Sequence, residues 1–163
     1  MFLTRQLASQ QFISIIAPEV KRLADVNIIK RASLALVLLD PSVPYAPGEK
    51  LPILFSGGVK DEPWAKPYDE FAQAKAMISW RTGLSSRVVQ QTMPHLVESG
   101  DTVWWGSVVL DGLIVAASGV MPEHDEMLAL YFAGACRART ITLMREFQEE
   151  QRANNYSADF YPQ

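Results

Sequence analysis

VWWGSVVLDGLIVAASGV, residues Val103 to Val120, holds two strand-like runs on either side of Asp111-Gly112. That pair supplies the positive φ angles of a two-residue type I′ turn, so the stretch predicts an antiparallel hairpin. Both runs are apolar at successive positions, hence on both faces, which places the hairpin in mid-sheet or against a partner. Trp104 and Trp105 then fall on opposite faces of the first strand, one for the core and one for a helix or a subunit interface.

The hairpin runs into PEHDEMLALYFAGAC, residues 122–136. Pro122 near the start and the acids Glu123, Asp125 and Glu126 suit the positive end of a helix dipole. Leu128, Leu130, Tyr131, Phe132, Ala133 and Ala135 make the first half of this helix apolar nearly all round, so that half must be buried. From Arg137 the sequence turns charged, as a solvated face does.

Upstream of the hairpin, apolar residues from Leu7 to Ala24 recur at spacings of three and four behind Thr4, which predicts a helix over 4–26 kinked or divided by Pro18. SLALVLL, residues 33–39, has strand length, and a second strand is predicted over Leu51–Phe55, ended by a turn at Gly57-Gly58. Between them, DPSVPYAPGEK excludes regular structure and forms a long, shaped loop, a fair place for a ligand. Residues 68–81 predict a helix stopped near Gly83, and Ser85 opens a shorter one disturbed at Pro94.

The chain has 163 residues, 48% of them apolar, the size of one domain that buries its own core. A formal charge of −3 leaves no basic field for a phosphate backbone, so nucleic acid is not an expected partner. No apolar run reaches the length of a membrane span, polar residues interrupt the N-terminal segment, and Cys136 is the lone cysteine. The expected address is the cytoplasm.

The DGxIVxxxGV hairpin leading into PExDExLA resembles the GlcG/HbpS family, often described as haem-binding or haem-degrading. The resemblance is most specific over Gly100–Ala138 and extends more weakly to the N-terminal helix, the strand ending at Asp40, and Ala74-Lys75-Ala76. It implies a profilin-like sandwich: a central antiparallel sheet of about five strands flanked by helices, assembled as dimers or larger oligomers. The chain departs from the family pattern in two places. Asp40 is followed by Pro41-Ser42-Val43-Pro44 instead of a Gly-Gly turn, and PHLVESGD stands where a glycine-rich segment is usual.

His124, Asp125 and Glu126 tempt a metal assignment, but consecutive helical residues point about 100° apart and cannot close on one ion. The favoured reading is an acidic first turn, with a pocket role for His124 or Asp125 as the alternative. A haem ligand would have to be His95 or His124, and neither has a context that demands it. Lys75 either binds an anion at a pocket wall, as the resemblance suggests, or snorkels its stem along the core. Cys136 reads as a packed thiol. No nucleophile elbow or phosphate loop is present.

The expectation is therefore an α/β (α+β) domain over residues 1–152 with a C-terminal tail, 153–163. Its expected function is small-ligand binding as an accessory protein, with haem as the candidate cofactor; the alternative is an enzyme or enzyme subunit acting on a small organic acid or on haem. The ligand-binding candidates are Lys75, His124 and Asp125, with no metal site and no assignable catalytic group. The apolar hairpin and helix exceed what one sheet face absorbs, which predicts a homodimer or a larger oligomer.

Overall fold

The computed structural model describes residues 2–154. Its sheet comprises β1 (Ser33–Leu39), β2 (Ile53–Lys60), β3 (Ser107–Leu110) and β4 (Leu113–Ser118). Every pairing is antiparallel, in the order β2-β1-β4-β3, and the sheet is open. Among the described residues it has four strands, where about five were expected. Asp111 (φ 48°) and Gly112 (φ 84°) form the hairpin turn as the sequence predicts.

The apolar run of β1 is explained by its central position, with every residue buried. Leu34, Leu36 and Leu38 enter one core, while Ala35, Val37 and Leu39 enter another on the opposite face. This alternation follows from the two-residue period of a strand. The first core receives α1 (Arg5–Gln11), α2 (Ala17–Asp25) and α5 (Pro122–Ala153); the second receives α3 (Tyr68–Thr82). The result is an α+β fold with an open antiparallel sheet between helical layers.

The N-terminal helix meets its proline without breaking. Residues Phe12–Ile16 form a π-turn in which the Ala17 amide donates to the Phe12 carbonyl, and Pro18 lies in the first turn of α2. A proline there has no amide to lose from the α-helical ladder, and the wider turn relieves its clash with the preceding carbonyl. Phe12 packs on Phe55 and Phe132, with ring centroids 5.6 and 6.3 Å away, joining the π-turn, β2 and α5 in one aromatic cluster.

Two local expectations are corrected. Gly57-Gly58 is not a turn, because β2 continues through it to Lys60. A β-carbon at Gly57 would lie 2.8 Å from the Phe55 ring and one at Gly58 3.0 Å from the Trp64 ring, so the glycines let aromatic rings lie flat on the strand. Trp104 and Trp105 are not in a strand: β3 begins at Ser107, and Trp104 is half exposed in the segment before it.

The hairpin has one central and one edge strand. The β3 edge is closed by the start of α4 (Ser86–Thr92) and its preceding serine. Ser85 Oγ accepts from the Val109 amide at 3.2 Å, and Ser86 Oγ accepts from the Gly106 and Ser107 amides at 3.1 and 3.0 Å. Side-chain hydroxyls thus occupy positions that another strand would use. At the C-terminus α5 reaches Ala153, and of the expected 153–163 tail residues 155–163 lie outside the described residues. No helix among the described residues is long and apolar enough to cross a membrane.

Candidate functional site

Beyond the end of the central strand β4 the chain passes through Gly119 to Met121 into α5. Here Lys75, from α3 on one face, meets Asp125, from the first turns of α5 on the other. Lys75 Nζ lies 2.8 Å from Asp125 Oδ2 and 2.8 Å from the Ala117 carbonyl oxygen. Asp125 Oδ1 accepts from the Val120 amide at 3.2 Å, which fixes the carboxylate plane. The two side chains are 1% and 2% exposed, so this is an interior ion pair. Its ammonium is withdrawn from water, which rules out snorkelling for Lys75.

Gly106 makes room for the pair. With φ 141°, it sits where a β-carbon would come within 2.8 Å of the Ala117 carbonyl oxygen, 2.8 Å of Asp125 Cβ and 3.0 Å of Lys75 Nζ. Ser107, the next residue, donates to the Lys75 carbonyl at 2.8 Å and shares a 2.6 Å hydrogen bond with Ser79, binding α3 to the sheet beneath the lysine.

Lys75 and Asp125 line a cavity of about 220 Å³. Tyr68, Phe71 and Trp104 supply its aromatic lining, Ser118 a hydroxyl, and Lys66 an exposed ammonium. An ammonium has three N–H donors, and two of them have acceptors among the described residues, the Ala117 carbonyl and the Asp125 carboxylate. Burial pushes Lys75 below the usual lysine range and Asp125 above the usual carboxylate range; the partner's charge and hydrogen bond oppose each shift without cancelling it. Both directions bring the proton affinities of the two groups closer together than those of a free lysine and a free aspartate.

The three acid-rich positions of the helix start diverge. Asp125 turns inward, and Glu126 turns outward to Arg87 at 2.8 Å. His124 lines a neighbouring cleft with Ile28, Arg31 and Met121, and its Nδ1 is buried with no hydrogen-bond partner among the described residues. His124 is therefore not brought together with Lys75 in one cavity. Among the described residues no three His, Cys, Asp or Glu side chains are grouped to hold a metal ion. His95 is exposed on a 3₁₀ turn, Pro94–Leu96, without the apolar slot that an axial haem ligand needs. Cys136 is packed in the core, its thiol pushed up to about 12 by burial.

Comparison with family models, curated proteins and solved structures gives no match. The expectations of GlcG/HbpS membership, haem binding and a profilin-like sandwich are corrected accordingly: neither a family model nor a solved structure carries them. The chain's own four-stranded open sheet takes the place of the five-stranded sandwich.

The long loop after β1 borders a cleft of its own. Asp40 Oδ1 accepts from the Ser42 amide and hydroxyl, and Trp80 Nε1 donates to the Val43 carbonyl, so the loop is pinned to α3. The cleft beside it is lined largely by apolar groups and has no buried charge. Reasoning on the sequence alone missed Gly106 as the cradle of the ion pair and Tyr68 and Phe71 as lining of the Lys75 cavity. The available signal was a glycine between the tryptophan pair and the first hairpin strand.

Proposed function

We propose that the chain is a small-molecule-binding protein whose ligand is a small organic acid held against Lys75. The observation that carries this reading is the interior Lys75–Asp125 pair lining a cavity with aromatic walls. A buried lysine is costly to desolvate, and an apolar pair of similar volume would hold the fold equally well. Such a pair beside a cavity, with a glycine cradle cut to its shape, serves a ligand better than it serves stability. The ligand's acceptor oxygen takes the third Lys75 N–H, its body packs on Tyr68, Phe71 and Trp104, and Lys66 meets its carboxylate.

Titration with a panel of short 2-hydroxy and 2-oxo acids tests this, read by quenching of Trp104 fluorescence. Saturable quenching that is lost in Trp104→Phe and about tenfold weaker in Lys66→Ala supports the reading. A full panel with neither quenching nor a shift in melting temperature overturns it.

We also propose a homodimer or an assembly of dimers. Met127, Leu130, Tyr131 and Ile141 of α5 are exposed, which is an apolar surface of the kind a second copy covers. The serine-closed β3 edge directs that contact to the helix rather than to the hairpin.

A further inference from the structure

We infer that Lys75 forms a reversible imine with a small carbonyl compound, an aldehyde or 2-oxo acid, with Asp125 carrying the protons. This deepens the proposed binding function and rests on it. A simple anion site needs a cation near water; here the cation is interior, neutralised by its own carboxylate 2.8 Å away, and still borders a cavity. That arrangement leaves attraction of the ligand's carboxylate to the exposed Lys66 and suits Lys75 to act as a nucleophilic amine.

The geometry provides for each proton. Asp125 Oδ2 takes one proton from the Lys75 ammonium, freeing the lone pair on Nζ. That pair attacks the carbonyl carbon: the C–N bond forms, and the C=O π pair moves to oxygen, which receives the proton back from Asp125. Asp125 then removes a second proton from the nitrogen and returns it to the hydroxyl, which leaves as water while the nitrogen lone pair closes the C=N bond. The sum is ammonium plus carbonyl giving iminium plus water, with Asp125 returned to carboxylate. The 2.8 Å contact places donor and acceptor for the first transfer, and burial, which lowers the lysine and raises the carboxylate, favours its direction. Val120 holds the carboxylate in plane and Ala117 holds the nitrogen, so the pair is oriented before the ligand arrives. The cavity, about 220 Å³, equals the liquid volume of about seven waters and takes a molecule of a few heavy atoms up to a small aromatic aldehyde.

The test is reductive trapping on the intact wild-type chain. Glyoxylate is added with sodium cyanoborohydride at neutral pH, and the carboxymethyl adducts are located by peptide mass spectrometry. Glycolate, which has the carboxylate but no carbonyl, serves as binding probe and competitor. The expected result is labelling of Lys75, the most buried lysine, about tenfold faster than the exposed Lys21, Lys30, Lys50, Lys60 and Lys66, with glycolate slowing only the Lys75 adduct. Asp125→Asn, checked for folding by circular dichroism, loses that rate advantage. Labelling of the exposed lysines without Lys75, while glycolate still quenches Trp104 saturably, overturns the imine and leaves the binding function standing. Failure of both labelling and quenching overturns both. Labelling of the wild-type chain decides between these outcomes without any variant having to fold.

Discussion

Gly106 and Asp125 approach so closely that a β-carbon on the glycine would stand 2.8 Å from Asp125 Cβ, closer than non-bonded carbons tolerate. The φ of 141° adds strain for any L side chain. Gly106→Ala is therefore expected to lower stability by about 3 kcal/mol and to displace the carboxylate from Lys75. Urea denaturation of the variant measures the first effect. An unchanged midpoint would mean that the backbone moves aside without cost.

Removing one member of the buried pair leaves the other without compensation. Lys75→Met is expected to cost about 4 kcal/mol, while Lys75→Met combined with Asp125→Leu should recover most of that loss. A double-mutant cycle by chemical denaturation reads the coupling. Additive losses would show that the two side chains contribute independently.

Acid should loosen the segment after α4. Burial raises the Asp101 carboxyl, but the Arg81 hydrogen bond at 2.7 Å, the Glu98 amide and the guanidinium charge together hold it below its ordinary value of 3.8. A depressed folded-state value means that the stabilisation is complete well above pH 3.8 and is lost as pH falls through the lower, folded-state value. Asp101→Asn should lose about 2 kcal/mol at neutral pH and show a shallower acid dependence than wild type. Thermal melts between pH 2 and 7 check this, and parallel curves for the two proteins would contradict it.

Assembly through α5 predicts a mass of about twice 18.2 kDa at micromolar concentration. Leu130→Glu or Ile141→Glu should return the chain to a single-copy mass with the helical signal intact, because both side chains are exposed within one protomer. Light scattering reads both. A wild-type mass near 18.2 kDa would remove the dimer.

Local structure was legible wherever one short stretch determined it. Asp111-Gly112 specified the hairpin turn, the unbroken apolar run at 33–39 gave the central strand, and Gly83 marked the end of α3 by adopting φ 73°. Gly57-Gly58 misled because glycine signals a turn and also a place where rings approach a strand; only the positions of Phe12, Phe55 and Trp64 separate the two. The candidate site was legible as residue types but not as a constellation. Lys75 and Asp125 are fifty residues apart in the chain, and their meeting depends on two helices lying on opposite faces of the sheet near the end of one strand. His124 was chosen on its adjacency to Asp125, yet the turn of the helix sends the neighbouring side chains into different clefts.

The serine pair at the start of α4 has a consequence for how the hairpin keeps its alignment. A two-residue turn fixes which residues face one another only near itself, and a four-residue strand has few ladder bonds with which to resist sliding. Ser86, fully buried, reads two successive amides of the incoming chain at once, at Gly106 and Ser107. It works as a notch in a lock: a slip of one residue would offer it the wrong amides, turn Ser107 away from Ser79, and pull the glycine cradle off the Lys75–Asp125 pair. The alignment of the outermost strand, and with it the shape of the cavity, is thus keyed by a helix that precedes the strand in the chain.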